Sequence, residues 1–342
     1  MSTADLIRVE GLKKWFPIRK GFRRKATGYV RAVDDVSFSI KKGETLGLVG
    51  ESGCGKTTVG RCILRAIEPT DGEVYFNRRG EVINLTTLES KELRDVRREL
   101  RLIFQDPYSS LNPRMTVRDL IAEPLIVNNI ARGSELDNRV AKLLNKVGLR
   151  PEYMQRYPHA FSGGQRQRIG IARALALNPS FVICDEPVSA LDVSVQAQIL
   201  NLLHELQVEF NLTYLFISHD LGVVQHISDR IAVMYVGRLV EIGDAERLFE
   251  RPLHPYSASL LASAPIPDPK RRSRRKERPL KGEVPDSSAP PKGCYFHPRC
   301  PYAQAICREM YPELRSFPSD NGHEHHVACH LAEELELQGL SI

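Results

Sequence analysis

Short apolar runs bounded by turn residues recur along the chain up to about residue 245. Four of these runs have the uninterrupted hydrophobicity of strands buried on both faces: residues 45–49, 102–104, 181–184 and 214–217. Segments with helical spacing separate them, so the pattern predicts an α/β fold whose parallel sheet is covered on both faces. Two later runs flank Gly237 and predict a hairpin.

A helical stretch interrupts this pattern between residues 116 and 159. Ser134, with Asp137 three positions later, resembles a capping box at the start of a helix. Apolar residues repeat at helical spacing from Leu136 to Val147, and Gly148 predicts the end of the helix. We therefore expect a helical subdomain at about residues 110–160.

The composition is that of a globular protein, with 342 residues of which 42% are hydrophobic and 26% charged. This length predicts one large domain with an appendage. No apolar run approaches the roughly 18 residues that a membrane-spanning helix needs. The first residues lack the basic-then-apolar pattern of a signal peptide. At a membrane, we expect the protein to act from the cytoplasmic side through partners.

Proline becomes frequent after about residue 245, and a basic run occupies residues 270–278. We predict one large domain at 1–264, a proline-rich basic linker at 265–292 and a small cysteine-rich module at 293–342. A second basic run lies at 19–25. Such runs bind nucleic acid or anionic lipid, or are solvated loops.

A phosphate-binding loop is predicted between the strand at 45–49 and a helix. Its pattern, G-x-x-x-x-G-K-[ST], is met by Gly50, Glu51, Ser52, Gly53, Cys54, Gly55, Lys56 and Thr57, and Thr58 follows. Glycines let successive backbone N–H groups surround the phosphates at the N-terminus of a helix. Lys56 supplies a positive charge to the β and γ phosphates, and the Thr57 hydroxyl is a ligand for Mg²⁺.

Two carboxylates follow the apolar run at 181–184. Asp185 and Glu186 at the end of such a strand fit a Walker B site, the usual companion of a phosphate-binding loop. We expect Asp185 to hold Mg²⁺ and Glu186 to polarise the attacking water.

The segment at 161–168, FSGGQRQR, resembles the signature of ABC ATPases, and it precedes Asp185 as in that family. Ser162, Gly163, Gly164 and Gln165 are its central residues, and a helix N-terminus there can bind a γ-phosphate. The chain already has one loop for that phosphate. A second phosphate-binding element is expected to close on the ATP of another subunit.

Other elements of ABC ATPases occur in the order of the family. Gln105 resembles the Q-loop glutamine that senses Mg²⁺, Asp192 the D-loop aspartate, and His219 the switch histidine that contacts the γ-phosphate. The resemblance also places an aromatic residue on the adenine, and we favour Phe16 over its neighbour Trp15. It implies a P-loop NTPase core with an antiparallel β subdomain and a helical subdomain.

A closer resemblance covers the whole chain. Segments 106–114, 187–194, 254–256 and 293–301 are similar to the ATPases of oligopeptide/dipeptide/nickel importers. The sequences at Gly53–Thr57 and Ser189–Asp192 resemble those of the second, F-type, ATPase of these importers, although Thr57 replaces the more usual serine.

This resemblance implies an ATP hydrolase that energises import of peptides or a related small solute across the bacterial cytoplasmic membrane. The expected partners are a second, paralogous ATPase or a second copy of this chain, two transmembrane permeases and an extracytoplasmic solute-binding protein. The location implied is the cytoplasmic face of the membrane. Peptides, nickel, glutathione and oligosaccharides remain possible cargoes.

The alternative is a soluble ABC ATPase acting on nucleic acid or ribosomes. Such chains carry two cassettes or a long coiled-coil insertion, whereas this sequence has one cassette and no heptad run. A non-catalytic subunit would need a broken site, yet Lys56, Asp185, Glu186 and His219 are all present. We expect no nucleic-acid partner.

Four of the seven cysteines fall in the last 49 residues: Cys294, Cys300, Cys307 and Cys329. Without a secretory signal, such a group indicates a metal rather than disulfides. Their intervals differ from the C-x₂-C pairs of zinc ribbons, and importer ATPases with this tail carry a [4Fe–4S] cluster. Zinc is the alternative, because nearby histidines complete mixed sites: His297, His323, His325, His326 and His330.

Overall fold

The computed structural model describes residues 5–20, 25–106, 108–263, 282–318 and 324–339, and every structural statement here concerns these residues. Several sequence predictions fall outside them. These are Pro107, His323, the centre of the basic run at 19–25, the whole basic run at 270–278, and positions 265–281 of the expected linker.

The described residues form two sheets. The strands are β1 (Asp5–Lys20), β2 (Lys25–Lys41), β3 (Thr45–Val49), β4 (Asp71–Arg78), β5 (Glu81–Asn84), β6 (Leu100–Ile103), β7 (Phe181–Asp185), β8 (Thr213–Ile217), β9 (Arg230–Tyr235), β10 (Arg238–Asp244), β11 (Arg315–Phe317) and β12 (His325–Val327). Four strands form the smaller sheet in the order β2-β1-β4-β5. Eight form the larger, in the order β11-β12-β10-β9-β3-β8-β7-β6.

The centre of the larger sheet is parallel, as the continuous apolar runs predict. β3 lies between β8 and β9, and β7 lies between β6 and β8, with every neighbouring pair parallel. All residues of β3, β7 and β8 are buried, because their alternating side chains enter two hydrophobic clusters, one on each face of the sheet. The carboxyl ends of these three strands therefore meet at one edge, where Gly50, Glu186 and His219 follow them.

The predicted hairpin is also present, since β9 and β10 pair antiparallel on either side of Val236 and Gly237. The smaller sheet is antiparallel throughout its recorded pairs. Its inward side chains, including Ile7 and Phe76, share a hydrophobic cluster with Val59 of the helix after the phosphate loop. The antiparallel subdomain thus packs directly against the helix that follows the loop at 50–55.

Ten α-helices lie in the described ranges: α1 (Lys56–Ile63), α2 (Ser90–Val96), α3 (Val117–Val127), α4 (Gly133–Lys146), α5 (Gly163–Leu175), α6 (Val193–Phe210), α7 (Leu221–Ile227), α8 (Ala245–Glu250), α9 (Pro255–Ser263) and α10 (Ala305–Glu309). The helical insertion comprises α3, α4 and short 3₁₀ turns at Pro151–Gln155 and Pro158–Ala160. Within this insertion α3 packs on α4, and it also packs on α5.

The predicted cap of α4 is wrong by two residues. Arg132 occupies the N-cap position and no side chain caps the helix, so Ser134 lies inside it. Asp137 does not close a capping box, because its carboxylate accepts a hydrogen bond of 2.6 Å from Nε of Arg118. The apolar spacing nevertheless located the helix, and Leu136, Val140 and Leu144 are its buried residues.

The cysteine-rich tail packs onto the preceding domain. β12 pairs with β10 and extends the larger sheet, while Tyr295 and Phe296 belong to the main hydrophobic cluster. Buried Glu241 of β10 accepts hydrogen bonds from His325 Nε2 at 2.7 Å and from the backbone N–H of His254 at 3.0 Å. The tail therefore packs on the core of the domain and adds a small hydrophobic cluster of its own around Val327, Cys329 and Leu331.

Candidate functional site

The phosphate loop joins β3 to α1 through a backbone that requires glycine. Gly50 and Gly55 have φ angles of 149° and 109°. A Cβ atom at Gly50 would overlap the carbonyl oxygen of Met234, and one at Gly55 would overlap that of Ala32. The loop is thus pressed against neighbouring backbone at both ends, which explains these two glycines of the motif.

Lys56 points back into this loop. Its side chain is buried, and Nζ donates hydrogen bonds to the carbonyl oxygens of Gly50 at 2.7 Å and Glu51 at 3.1 Å. Burial raises the pKa of the neighbouring Cys54 thiol, so Cys54 is a neutral packing residue of the loop. The structure therefore surrounds a single ammonium group with the backbone of the loop.

A hydroxyl and a carboxylate meet beside the loop. The Thr57 Oγ1 hydroxyl of α1 donates a hydrogen bond of 2.8 Å to Oδ1 of Asp185, at the end of β7. Burial raises the pKa of Asp185, and the Thr57 hydrogen bond acts in the opposite direction. The hydroxyl and the carboxylate belong to residues 128 positions apart in the chain. Both offer oxygen atoms, which are the ligands that Mg²⁺ prefers.

Two of the three residues predicted to be catalytic converge on one atom of the third. Oε2 of Glu186 accepts a hydrogen bond of 2.8 Å from Nε2 of Gln105 and lies 3.1 Å from Nδ1 of His219. Glu186 itself has a positive φ of 47°, and its N–H donates to the carbonyl oxygen of Ile217 in β8. A strained backbone at the end of β7 thus aims the carboxylate between the two other side chains.

The signature residues begin α5. Ser162 is the N-cap and forms a capping box with Gln165, whose N–H donates to the Ser162 hydroxyl at 3.3 Å. Gly164 contacts Val195 so closely that a Cβ atom would overlap it, whereas at Gly163 the nearest atom, in Leu191, would be 3.3 Å away. Within the described ranges, no hydrogen bond joins residues 162–165 to residues 50–58.

Asp192 has a role that the motif did not indicate. It caps α6 by accepting hydrogen bonds from the Val195 N–H at 3.0 Å and from the Ser194 hydroxyl at 2.7 Å. The Ser194 bond is the main cause that lowers the pKa of Asp192. Because Val195 also packs on Gly164, Asp192 helps to position α5. An aspartate directly before a helix is a cap signal that could have revealed this role.

The two candidate residues for the adenine differ in their environment. Trp15 is engaged, since Nε1 donates to Oδ1 of Asp34 at 3.2 Å and the Arg31 guanidinium lies 5.1 Å from the ring. Phe16 is 37% exposed, with Nζ of Lys14 at 5.1 Å from its ring centroid. The exposed ring favours Phe16 as the residue that stacks on a base.

Two residues near the phosphate loop were missed as functional candidates. Nη1 and Nη2 of Arg299 donate to the two carboxylate oxygens of Glu51 at 2.7 and 3.0 Å. The Tyr256 hydroxyl accepts a hydrogen bond of 2.9 Å from the N–H of Glu51. Both residues lie in segments that the sequence marked only by resemblance, far along the chain from Glu51.

The four tail cysteines come together. They line one cavity with His254, Phe296, His297 and His330, among others. Burial raises the pKa of Cys294 to about 12 and that of Cys329 to about 11. All seven cysteines are free thiols. In the described part of the chain, no group of three or more His, Cys, Asp or Glu side chains is arranged to hold a metal ion.

Two family models match separate stretches of the chain. The ABC transporter family matches residues 33–189, which include the phosphate loop, the signature and Glu186. The C-terminal region of oligopeptide/dipeptide transporters matches residues 240–307, which include Tyr256 and three of the tail cysteines.

Relatives match over nearly the whole chain. The oligopeptide transport ATP-binding protein AppF of Bacillus subtilis is 53% identical over 327 residues, covering 95% of this chain and 97% of the relative. The probable peptide ABC transporter ATP-binding protein y4tS of Sinorhizobium fredii is 52% identical over 326 residues, covering 95% and 90%. A solved dimer of the ATP-binding cassette MJ0796, with ADP and Pi bound after hydrolysis, matches with a TM-score of 0.61 and 29% identity over 70% of this chain and 99% of that one.

Fold, site and comparisons define an ATP hydrolase of the P-loop class with an ABC signature. The chain belongs to the ABC transporter family, among the ATP-binding proteins that carry the oligopeptide/dipeptide transporter C-terminal region. The resemblance inferred from the motifs is thereby confirmed. In the described part of the chain, the helices lack the combination of length and hydrophobicity that spanning a bilayer requires.

Proposed function

We propose that this chain binds and hydrolyses Mg-ATP to energise import of peptides, or a related small solute, through a membrane pore that other chains supply. The observation that carries the proposal is the convergence of Gln105 and His219 on Oε2 of Glu186, beside the Thr57–Asp185 pair. A water-activating carboxylate next to a magnesium site is what hydrolysis of a phosphoanhydride requires. The names of the relatives support peptides as the cargo.

The phosphates of ATP occupy the loop at 50–58 in this proposal. Lys56 turns from the loop carbonyls to the β and γ phosphates, and Thr57, Gln105 and Asp185 hold Mg²⁺. Glu186 takes a proton from the attacking water while His219 contacts the γ-phosphate. Phe16 stacks on the adenine. The exposure of Phe16 and the hydrogen bond of Thr57 to Asp185 support these roles.

A second subunit completes each ATP site. Ser162, Gly163, Gly164 and Gln165 of one subunit bind the γ-phosphate held by the partner, and Asp192 of the D-loop supports the same interface. Two observations support this arrangement. No hydrogen bond in the described ranges joins the signature to the phosphate loop of its own chain, and the similar cassette MJ0796 is a dimer. The second subunit is a paralogous ATPase or another copy of this chain.

The remaining partners follow from transport itself. Two permease subunits supply the pore, and an extracytoplasmic binding protein delivers the solute; the relatives' names, which are those of ATP-binding proteins of oligopeptide and peptide transport, support this arrangement. The ATPase is then peripheral, on the cytoplasmic face of the bacterial membrane.

Lys56→Ala tests this function. Loss of the charged contact to the phosphates should weaken ATP binding about 100-fold and abolish uptake of a labelled oligopeptide by cells that depend on this ATPase. Lys42→Ala, which removes an exposed lysine just before β3, is the matched control and should transport normally. Unchanged peptide uptake by the Lys56→Ala variant would rule out the proposed function.

We further propose that the four tail cysteines hold a [4Fe–4S] cluster. They line one largely apolar cavity, where burial raises the pKa of Cys294, Cys300 and Cys329, so that a bound cation would be needed to favour their thiolate forms. Four thiolates suffice to hold a cubane cluster, and zinc held by cysteines together with nearby histidines is the alternative. The cluster supplies structural cross-linking, since ATP-driven transport needs no electron.

Cys300→Ser tests the cluster. Anaerobically purified protein should be brown, with about four iron and four sulfide ions per chain, and both should fall sharply in the variant. Cys62→Ala, at a buried cysteine of α1, is the control and should keep its iron. Colourless wild-type protein with one equivalent of zinc would instead support a mixed cysteine and histidine site.

A further inference from the structure

The tail reaches the phosphate loop through one ion pair. Arg299 belongs to the segment that carries Cys300, whereas Glu51 is the second residue of the phosphate loop. The guanidinium donates from two nitrogens to the two oxygens of the carboxylate, at 2.7 and 3.0 Å. This two-pronged geometry fixes both the direction and the distance of Glu51.

The pair is largely shielded from solvent. The Arg299 side chain is only 5% exposed and that of Glu51 is 25% exposed. Nη1 of Arg299 also donates to the Tyr235 hydroxyl at 3.3 Å. Hydrogen bonding to Glu51 is the main cause that raises the pKa of Arg299. The contact is therefore a partly buried, charge-assisted pair rather than a mobile surface bridge.

Glu51 also contacts Lys56, the residue proposed to bind the phosphates. Its N–H donates to the Tyr256 hydroxyl at 2.9 Å, and its carbonyl oxygen accepts a hydrogen bond of 3.1 Å from Nζ of Lys56. The side chain, the N–H and the carbonyl of one loop residue are thus all engaged. Displacement of Glu51 would move the loop backbone next to Lys56.

The charge of Glu51 gives Arg299 a second effect. A carboxylate in a phosphate-binding loop repels the phosphates of ATP, and this repulsion is strongest where water is excluded. Arg299 neutralises that carboxylate. Removal of Arg299 would leave an unpaired negative charge in the loop and would release the loop from the tail.

We propose that Arg299 is a positioning residue for ATP binding, which acts through Glu51 by neutralising its charge and holding the phosphate loop in its binding conformation. The inference rests on the proposed assignment of residues 50–58 to the ATP phosphates. It gives the tail a direct part in nucleotide affinity, separate from the cluster proposed for the cysteines.

A mutant cycle on the full-length chain tests the proposal. Equilibrium affinity for Mg-ATP is measured for wild type, Arg299→Ala, Glu51→Gln and the double variant, well below their melting temperatures. Arg299→Ala should weaken binding about tenfold in the wild-type background and less than about twofold in the Glu51→Gln background. Arg299→Lys, which keeps the charge but not the fork, should restore affinity to within about threefold of wild type.

Two controls distinguish a failure of the role of Arg299 from a failure of the assignment of residues 50–58 to the ATP phosphates. Arg308→Ala removes an exposed arginine of the same tail and should bind as wild type does. Lys56→Ala, in the same assay, should lose ATP whether or not the inference holds. Equal tenfold losses from Arg299→Ala in both backgrounds, or no loss in either, would overturn the role through Glu51. Wild-type affinity in Lys56→Ala would instead overturn the assignment of the phosphate loop.

Discussion

Glu186→Gln should bind ATP as the wild type does and hydrolyse it at least about a hundredfold more slowly. Glutamine keeps the size of the side chain and an oxygen that accepts the hydrogen bond from Nε2 of Gln105. It removes the carboxylate that takes a proton from water, so ATP binding is retained while hydrolysis is lost. The measurement is steady-state phosphate release by the assembled transporter, together with nucleotide affinity.

A matched substitution on an exposed helical face guards against a general effect of lost charge. Glu205 is an exposed residue of α6, and the Glu205→Gln variant should hydrolyse ATP at the wild-type rate. Hydrolysis by the Glu186→Gln transporter at near the wild-type rate would show that another group activates the water.

Gly163→Asp should abolish hydrolysis at the partner's phosphate loop while its own loop still binds ATP. An aspartate there places a negative charge at the N-terminus of α5, where the partner's γ-phosphate is expected. A Cβ atom at this position would lie 3.3 Å from the end of the Leu191 side chain, so that leucine has to shift by only a few tenths of an ångström. Gly164 is unsuitable, because a Cβ atom there would overlap Val195 and disturb the fold.

The experiment uses a dimer with one altered and one normal subunit, in which a Glu186→Gln change silences one loop at a time. Gly170→Asp is the control, because it adds the same charge to α5 at a position with open space around a Cβ. Loss of nucleotide binding at the altered subunit's own loop, with normal turnover at the other, would contradict the composite site.

The sequence by itself determined the elements whose physics is local. Gly50–Thr57 predicts a phosphate loop because glycine spacing, a following helix and one lysine suffice to build it. Strands buried on both faces are readable as short apolar runs, so β3, β7 and β8 were found with nearly their observed bounds. The start of α4 was misplaced, because the partner of Asp137 is Arg118, on another helix.

Only the tertiary structure decided which of these elements meet. Gln105 and Glu186 are 81 residues apart, and their contact depends on the order of β6, β7 and β8 in the sheet, which no local pattern encodes. Arg299 and Glu51 are separated by 248 residues, and they pair because the tail adds β12 to the larger sheet and buries Phe296 in its core. Motifs identify chemical groups, whereas strand order and long-range packing bring those groups within a hydrogen bond of one another.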